Sequence, residues 1–305
     1  MKNINHSKAY TFIIIAIIFW GISFLWTNQL IKLGVPITTF LFLRLFIAGI
    51  ILFVFSIITK RLQKLKRKDW KWMLLMVFFE PFIYFMGEDY GMKYTGSPTL
   101  TAVIIATIPI FTMVTEIIIY HIKLTFWNIL GVFLTLPGIV LMVLENGNFS
   151  SDYWWGILLL LIAVIGAVGY SAVVKNLTDK YNTFTLTTYQ FIIGALFFLP
   201  FVLIKDVSHI SEFHLLSLEV LTPLLCLAVL CSACAFWFYI ESIKDLGMTK
   251  SCIFTAIIPG ISALVAYLMG QETITPLQTL GIIIVVFGVM LAQLKIKRKK
   301  KAVLD

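Results

Sequence analysis

Residues 99–141 read TLTAVIIATIPIFTMVTEIIIYHIKLTFWNILGVFLTLPGIVL, and residues 249–291 read TKSCIFTAIIPGISALVAYLMGQETITPLQTLGIIIVVFGVML. Aligned without a gap at an offset of 150 residues, Pro109 meets Pro259, Thr125 meets Thr275, Gly131 meets Gly281, Gly138 meets Gly288 and Leu141 meets Leu291. Ala106 and Ile108 fall on Ala256 and Ile258. Matches between Leu and Ile carry little weight in so apolar a chain, but two glycines and a mid-segment proline in one register point to duplication. The period is too long for a solenoid. What remains is two halves of one membrane protein, an arrangement found in secondary transporters.

Composition agrees with that reading. The 305 residues are 60% hydrophobic and 13% charged, against about half and about a quarter in soluble domains. On the scale of about twenty apolar residues per membrane helix, the chain divides into ten spans. They run over 9–29, 38–59, 72–92, 98–120, 126–144, 154–174, 183–204, 218–243, 250–269 and 276–294. The expected fold is an all-α integral membrane protein of ten transmembrane helices, built as two five-helix repeats. The first repeat covers 1–144 and the second 154–294, with a short external linker at 145–153 and a basic cytoplasmic tail at 295–305. Ala9 to Gln29 is long and lacks a small-residue cleavage site, so it reads as an uncleaved first span.

Sidedness follows from the cations, because cytoplasmic loops collect Lys and Arg. Placing both termini in the cytoplasm leaves only Lys32, Lys93, Lys205 and the intraspan Arg44 outside that face, of the 24 Lys and Arg in the chain. A repeat of five spans is odd in number, so the second repeat must be inverted relative to the first. The densest run, Lys60 to Lys71, reads first as a topology determinant, although such runs also attract anionic lipid. Cys226, Cys231, Cys234 and Cys252 all lie in apolar segments, where a thiol is a small hydrophobe. Neither a metal nor a cofactor is called for.

Polar groups inside the spans are the candidates for function. Pro109 and Pro259 break their helices near the middle, since proline lacks an N–H and clashes with the carbonyl four residues back. Such breaks are tolerated beside a cavity or a tight helix contact. Thr101, Thr112, Thr115 and Glu116 share one face of the fourth span, and Ser251, Thr255 and Ser262 one face of the ninth. Thr101 and Ser251, like Thr112 and Ser262, are equivalent under the repeat. In the third span Glu80, Tyr84 and Glu88 are spaced i, i+4 and i+8. An ionisable group as deep as Glu80 is by default a functional candidate, suited to carrying a proton or recognising an ammonium group. Arg44, Glu88 and Asp89 lie nearer the outer surface and read as an ion pair or as charges at a mouth. Trp20, Tyr170 and Trp237 complete the pathway candidates. Gly131, Gly138, Gly281 and Gly288 read as helix-packing positions. Histidines lie only in loops or at helix ends, and no phosphate loop or nucleophile–base arrangement appears, so there is no positive case for an enzyme.

Several short patterns resemble the EamA-type branch of the drug/metabolite transporter superfamily. They are Trp20-Gly21 with Phe24, Leu43-Arg44 through Ala48, and Met92-Lys93-Tyr94-Thr95-Gly96-Ser97. In the second repeat they are Ile243-Lys244-Asp245-Leu246-Gly247 and Glu272-Thr273-Ile274-Thr275-Pro276-Leu277-Gln278, followed by Gly281 and Gly288. Gln271 stands where the family usually has glycine, and Ile122 where a glutamate matching Glu272 is common. Glu272 is expected to fix the turn between the ninth and tenth helices. The resemblance implies an alternating-access carrier whose cavity is formed by helices one, three, four, six, eight and nine. It implies export of small metabolites such as amino acids across the cell membrane. Protons are a candidate coupling ion on account of Glu80, and the basic excess, confined to two short runs beside apolar segments, does not point to nucleic acid. Two other readings stay open: an intramembrane enzyme acting on lipid-linked phosphates, and a non-transporting membrane sensor or assembly partner.

Overall fold

The computed structural model describes residues 6–120, 125–145, 150–206, 215–246, 251 and 254–292. The basic tail at 295–305, residues 146–149 of the linker, and Lys2, Lys123, Lys250, His121, His209, His214 and Cys252 lie outside the described residues, as does the side chain of Glu116. Among the described residues every regular element is helical. They are α1 (His6–Lys32), α2 (Ile37–Ile58), α3 (Trp70–Val77), α4 (Tyr84–Thr95), α5 (Pro98–Ile105), α6 (Ile108–Tyr120) and α7 (Phe126–Glu145). After them come α8 (Ser151–Thr178), α9 (Thr183–Phe201), α10 (Leu218–Cys226), α11 (Ala235–Leu246), α12 (Ile258–Leu268) and α13 (Pro276–Ala292). A π-helical stretch, Phe78–Ile83, joins α3 to α4, and another, Leu227–Cys234, joins α10 to α11.

Among the described residues, seven helical runs are long and apolar enough to cross a membrane: Ser7–Lys32, Ile37–Ile58, Pro98–Thr115, Phe126–Glu145, Ser151–Thr178, Thr183–Asp206 and Leu218–Ile243. The protein is therefore a multi-pass membrane protein. Of the three other expected spans, two are short apolar helices, Ile258–Leu268 and Pro276–Ala292. The third is the Trp70–Thr95 run, which carries Lys71, Glu80, Glu88, Asp89 and Lys93. Large apolar side chains such as Ile58, Phe133 and Ile204 are exposed by 74%, 67% and 80%, which is tolerable because hydrocarbon is the solvent there.

Both mid-span prolines sit just after a break. The fourth span stops at Ile105 and resumes at Ile108, and the ninth has its turn at 256–257. Backbone bonding repeats at the 150-residue offset. Thr107 N–H donates to the Ile104 carbonyl at 3.0 Å and Ile257 N–H to that of Phe254 at 3.1 Å; Ile110 donates to Thr107 at 2.8 Å and Gly260 to Ile257 at 3.0 Å. Each break is thus one tight turn closed by i→i−3 hydrogen bonds.

The third span departs from expectation. It is not one continuous helix. Glu80 has extended backbone (φ −147°, ψ 116°) and precedes Pro81 through a cis peptide, so the i, i+4 relation between Glu80 and Tyr84 does not rest on a shared helical face. Space for the break comes from neighbouring glycines. A Cβ on Gly194 would lie 2.5 Å from Pro81 Cγ, and one on Gly169 2.6 Å from the Phe79 ring.

Interhelical polar contacts gather at two ends of the bundle. At one end Thr38 and Thr39 donate to the Asp206 carboxylate at 2.5 and 2.8 Å, and Asn28 donates to Gln271 at 3.0 Å. There Glu272 accepts from the Thr99 hydroxyl and, at 3.2 Å, from the Thr99 N–H. It thereby caps the first turn of α5, where a carboxylate is favoured by the helix dipole; its contact is with the fourth span rather than within its own turn. At the other end the 60–71 loop is bound to the turn between α8 and α9 through Asp69, which takes Lys180 at 2.8 Å and Tyr181 at 2.9 Å. These hydrogen bonds, that of Lys180 foremost, hold the Asp69 carboxyl below the usual aspartate range.

Candidate functional site

The breaks surround a cavity. The centre of a water molecule has about 90 Å³ to move in there, several times the ~10–15 Å³ that one water requires. Its walls come from α1, α2, the α3–α4 break, α4, the α5–α6 break, α8, α11 and the segment leading into α12. Arg44 adds the second helix to the set that the family resemblance implies.

Arg44 enters from α2 and is 3% exposed. Its Nε donates to Ser232 Oγ at 2.7 Å, and its guanidinium carbon lies 4.5 Å from the centre of the Phe85 ring. Ser232 belongs to the π-helical stretch Leu227–Cys234. The same stretch accepts from the first span, since Trp20 Nε1 donates to the Cys231 carbonyl at 3.1 Å. Trp20 is held further by Phe236 and Tyr239, with ring centres at 5.2 and 4.8 Å. A wide helical turn of this kind often marks a functional position, and here it anchors both the cation and the largest aromatic of the wall.

Glu80 enters at the break in the third span, 8% exposed. Its backbone carbonyl accepts from Gln190 Nε2 at 3.2 Å, and Gln190 Oε1 in turn accepts from the Tyr170 hydroxyl at 3.3 Å. One α9 side chain therefore ties the break to α8. Glu88 also lines the cavity and accepts from the Tyr84 hydroxyl at 2.6 Å. No carboxylate lies within 4.0 Å of Arg44 among the described residues, where the single ion pair is Lys180–Asp69. The cavity thus holds one guanidinium and two carboxylates that do not neutralise one another by contact. Most of the remaining wall is apolar or aromatic, including Phe24, Ile105, Ile108, Phe236 and Ile258.

The sequence candidates divide accordingly. Trp20, Glu80, Tyr84, Tyr170 and Thr255 line the cavity, together with Arg44 and Glu88 from the group assigned to a mouth. Residues flanking Pro109 and Pro259 line it rather than the prolines themselves. Thr101 does not reach it, because its hydroxyl turns back to the Ser97 carbonyl at 2.9 Å. Ser251 meets Ser242 at 3.3 Å. Thr112 and Ser262, equivalent under the repeat, bury hydroxyls that meet no hydrogen-bond partner among the described residues. Trp237 packs among Phe12, Phe55, Phe184 and Phe238. Asp89 is 1% exposed, lies outside the cavity wall, and neither carboxylate oxygen meets a hydrogen-bond partner among the described residues. Sequence reading missed Ser171, Phe236 and Tyr239. For Tyr239 the signal was its place two residues from Trp237 in an aromatic run. No group of three His, Cys, Asp or Glu is gathered for a metal among the described residues.

Comparison with known proteins agrees with this architecture. A model of the EamA-like transporter family matches residues 7–144 and again 154–294. Two proteins of Archaeoglobus fulgidus, each named an uncharacterized transporter, are 23% and 24% identical; the alignments cover 92% and 95% of this chain and 97% and 99% of theirs. The uncharacterized transporter YetK of Bacillus subtilis is 23% identical over 84% of this chain and 78% of its own. A solved structure described only as a crystal structure of protein superposes with a TM-score of 0.69 at 16% identity, covering 94% of this chain and 96% of its own. That likeness speaks to the fold.

Proposed function

Because the chain belongs to the EamA-like transporter family, we propose that it exports small zwitterionic or cationic metabolites, amino acids foremost, across the cell membrane by alternating access. The observation that carries this reading is the unpaired Arg44 and Glu80 in one cavity. A buried charge is costly unless it is paired or wetted. With the cavity wet, water serves both groups; a ligand carrying a carboxylate and an ammonium replaces that water with two charge-assisted hydrogen bonds. The apolar wall takes an aliphatic or aromatic substituent. Glu88 and Glu80 are the groups on which a coupling proton would ride. A dianionic phosphate meets one guanidinium against two carboxylates, which argues against the phosphate-ester branch of the superfamily and against a lipid-phosphate enzyme.

The architecture that goes with this function is ten spans in two inverted repeats, 1–144 and 154–294, with both termini cytoplasmic. Contacts between equivalent spans support the inversion. Thr99 at the start of the fourth span meets Glu272 just beyond the end of the ninth, and Asn128 at the start of the fifth donates at 2.6 Å to Ala292 at the end of the tenth. On this reading equivalent helices in the two halves run in opposite directions. The paired breaks beside the cavity are the flexible points that rocking of one half against the other requires.

Flux of labelled amino acids, the corresponding decarboxylated amines and the corresponding deaminated acids into proteoliposomes tests the reading. Hydrogen bonds to charged groups contribute about 1.5–3 kcal/mol, so Glu80→Gln is expected to lower flux of the ammonium-bearing substrates about 10- to 100-fold. Arg44→Gln should do so for the carboxylate-bearing ones. Wild-type flux that is indifferent to both substitutions removes the pair from the mechanism.

A further inference from the structure

We propose that the segment between α2 and α3, residues 60–71, is a binding surface for the anionic headgroups of phospholipids in the leaflet it faces. Seven cations, Lys60, Arg61, Lys64, Lys66, Arg67, Lys68 and Lys71, fall within these twelve residues beside a single acid, Asp69. The fold sorts them by side. Leu65 and Asp69 turn inward, 5% and 1% exposed, while all seven cations are exposed. Asp69 is occupied by Lys180 and Tyr181, and none of the seven forms an ion pair among the described residues.

The segment is also held in place. Gln63 N–H donates to Thr185 Oγ1 at 2.9 Å, Lys66 N–H to the Tyr181 hydroxyl at 3.0 Å, and Asn182 Nδ2 to the Arg61 carbonyl at 2.6 Å. A surface charge that only set topology during insertion would need no such anchoring to a distant turn. Depth fits headgroups as well. The segment begins next to the exposed Ile57 and Ile58 and ends at the exposed Trp70 and Trp72, and tryptophan favours the interface between hydrocarbon and water. The cations therefore lie level with lipid phosphates, where each strengthens association with an anionic surface about fivefold. This inference is independent of the transport reading, because the surface and the cavity share no residue.

The test uses the full-length protein purified in neutral detergent, with melting temperature followed against short-chain phosphatidylglycerol, phosphatidylcholine of the same chain length, and inorganic phosphate. The expected result is a saturable rise of several degrees with phosphatidylglycerol alone. In K64Q/K66Q/R67Q/K68Q its apparent affinity should fall at least tenfold, whereas K64R/K66R/K68R should retain it. Should the neutralised variant fail to insert, wild type in 0.5 M NaCl replaces it. Screening there acts over only a few ångströms, about 4 Å, and the affinity must drop comparably. Equal affinity in the neutralised variant, equal response to phosphatidylcholine, or persistence at high salt overturns the proposal. A shift reproduced by inorganic phosphate assigns the surface to free anions instead and overturns it too.

Discussion

Arg44 is held on two sides and open on the third. Ser232 takes its Nε, Phe85 covers one face of the guanidinium, and the cavity receives the rest. Ser232→Ala removes the bond that sets its orientation and leaves the charge in place. On the proposed mechanism carboxylate-bearing substrates should then show a KM raised about tenfold, in line with a charge-assisted hydrogen bond, with folding intact by size-exclusion profile. At the membrane surface Asp69 gives a prediction in pH. Its folded-state pKa is depressed by Lys180 and Tyr181, so its contribution to stability is present above the unfolded value of about 3.9 and is lost as pH falls through the folded value. Melting temperatures of wild type and Asp69→Asn should differ at pH 7, with wild type higher, and converge as pH drops below about 4.

At the scale of elements, the tightest helix pair is α7 with α13. A Cβ on Gly131 would lie 2.2 Å from Ala292 N, and one on Gly288 2.6 Å from Thr135 Oγ1. Overpacking such a contact costs about 1–3 kcal/mol or more, so Gly131→Leu should lower the melting temperature by several degrees or prevent recovery of folded protein, while Leu130→Ala, on an exposed face, should not. This pair was legible because its glycines recur at one offset in both halves. The breaks at Pro109 and Pro259 were legible for the same reason. The break at Glu80 was not, although Pro81 stands beside it in the chain. A periodic stripe of Glu80, Tyr84 and Glu88 suggested an intact helix, and what makes room for the interruption, Gly194 and Gly169, lies on two distant spans. Depth along a span assigned Arg44 and Glu88 to a mouth without showing that they share one cavity with Glu80. The π-helical stretch Leu227–Cys234 brings Ser232 to Arg44, and no local residue pattern encodes that pairing. The hydroxyl stripes did not show where each hydroxyl bonds: Thr101 bonds within its own helix, and Ser251 meets Ser242.

On the proposed reading, the whole molecule is two antiparallel halves joined at both ends by polar contacts, with a charged, wettable cavity between them. Contacts of Asp206, Gln271 and Glu272 tie helices together at one end, and the Asp69–Lys180–Tyr181 cluster does so at the other. A carrier working by alternating access must loosen each set in turn while the cavity persists. Ser171 lines the cavity, and a thiol at that position reports which face has access. The most direct measurement is therefore the labelling of Ser171→Cys, with the four native cysteines replaced, by a membrane-impermeant maleimide applied from either side of oriented vesicles. The account predicts labelling from both sides, with bound substrate shifting the ratio. Labelling from one side alone, under every substrate condition in which flux is measured, would contradict it.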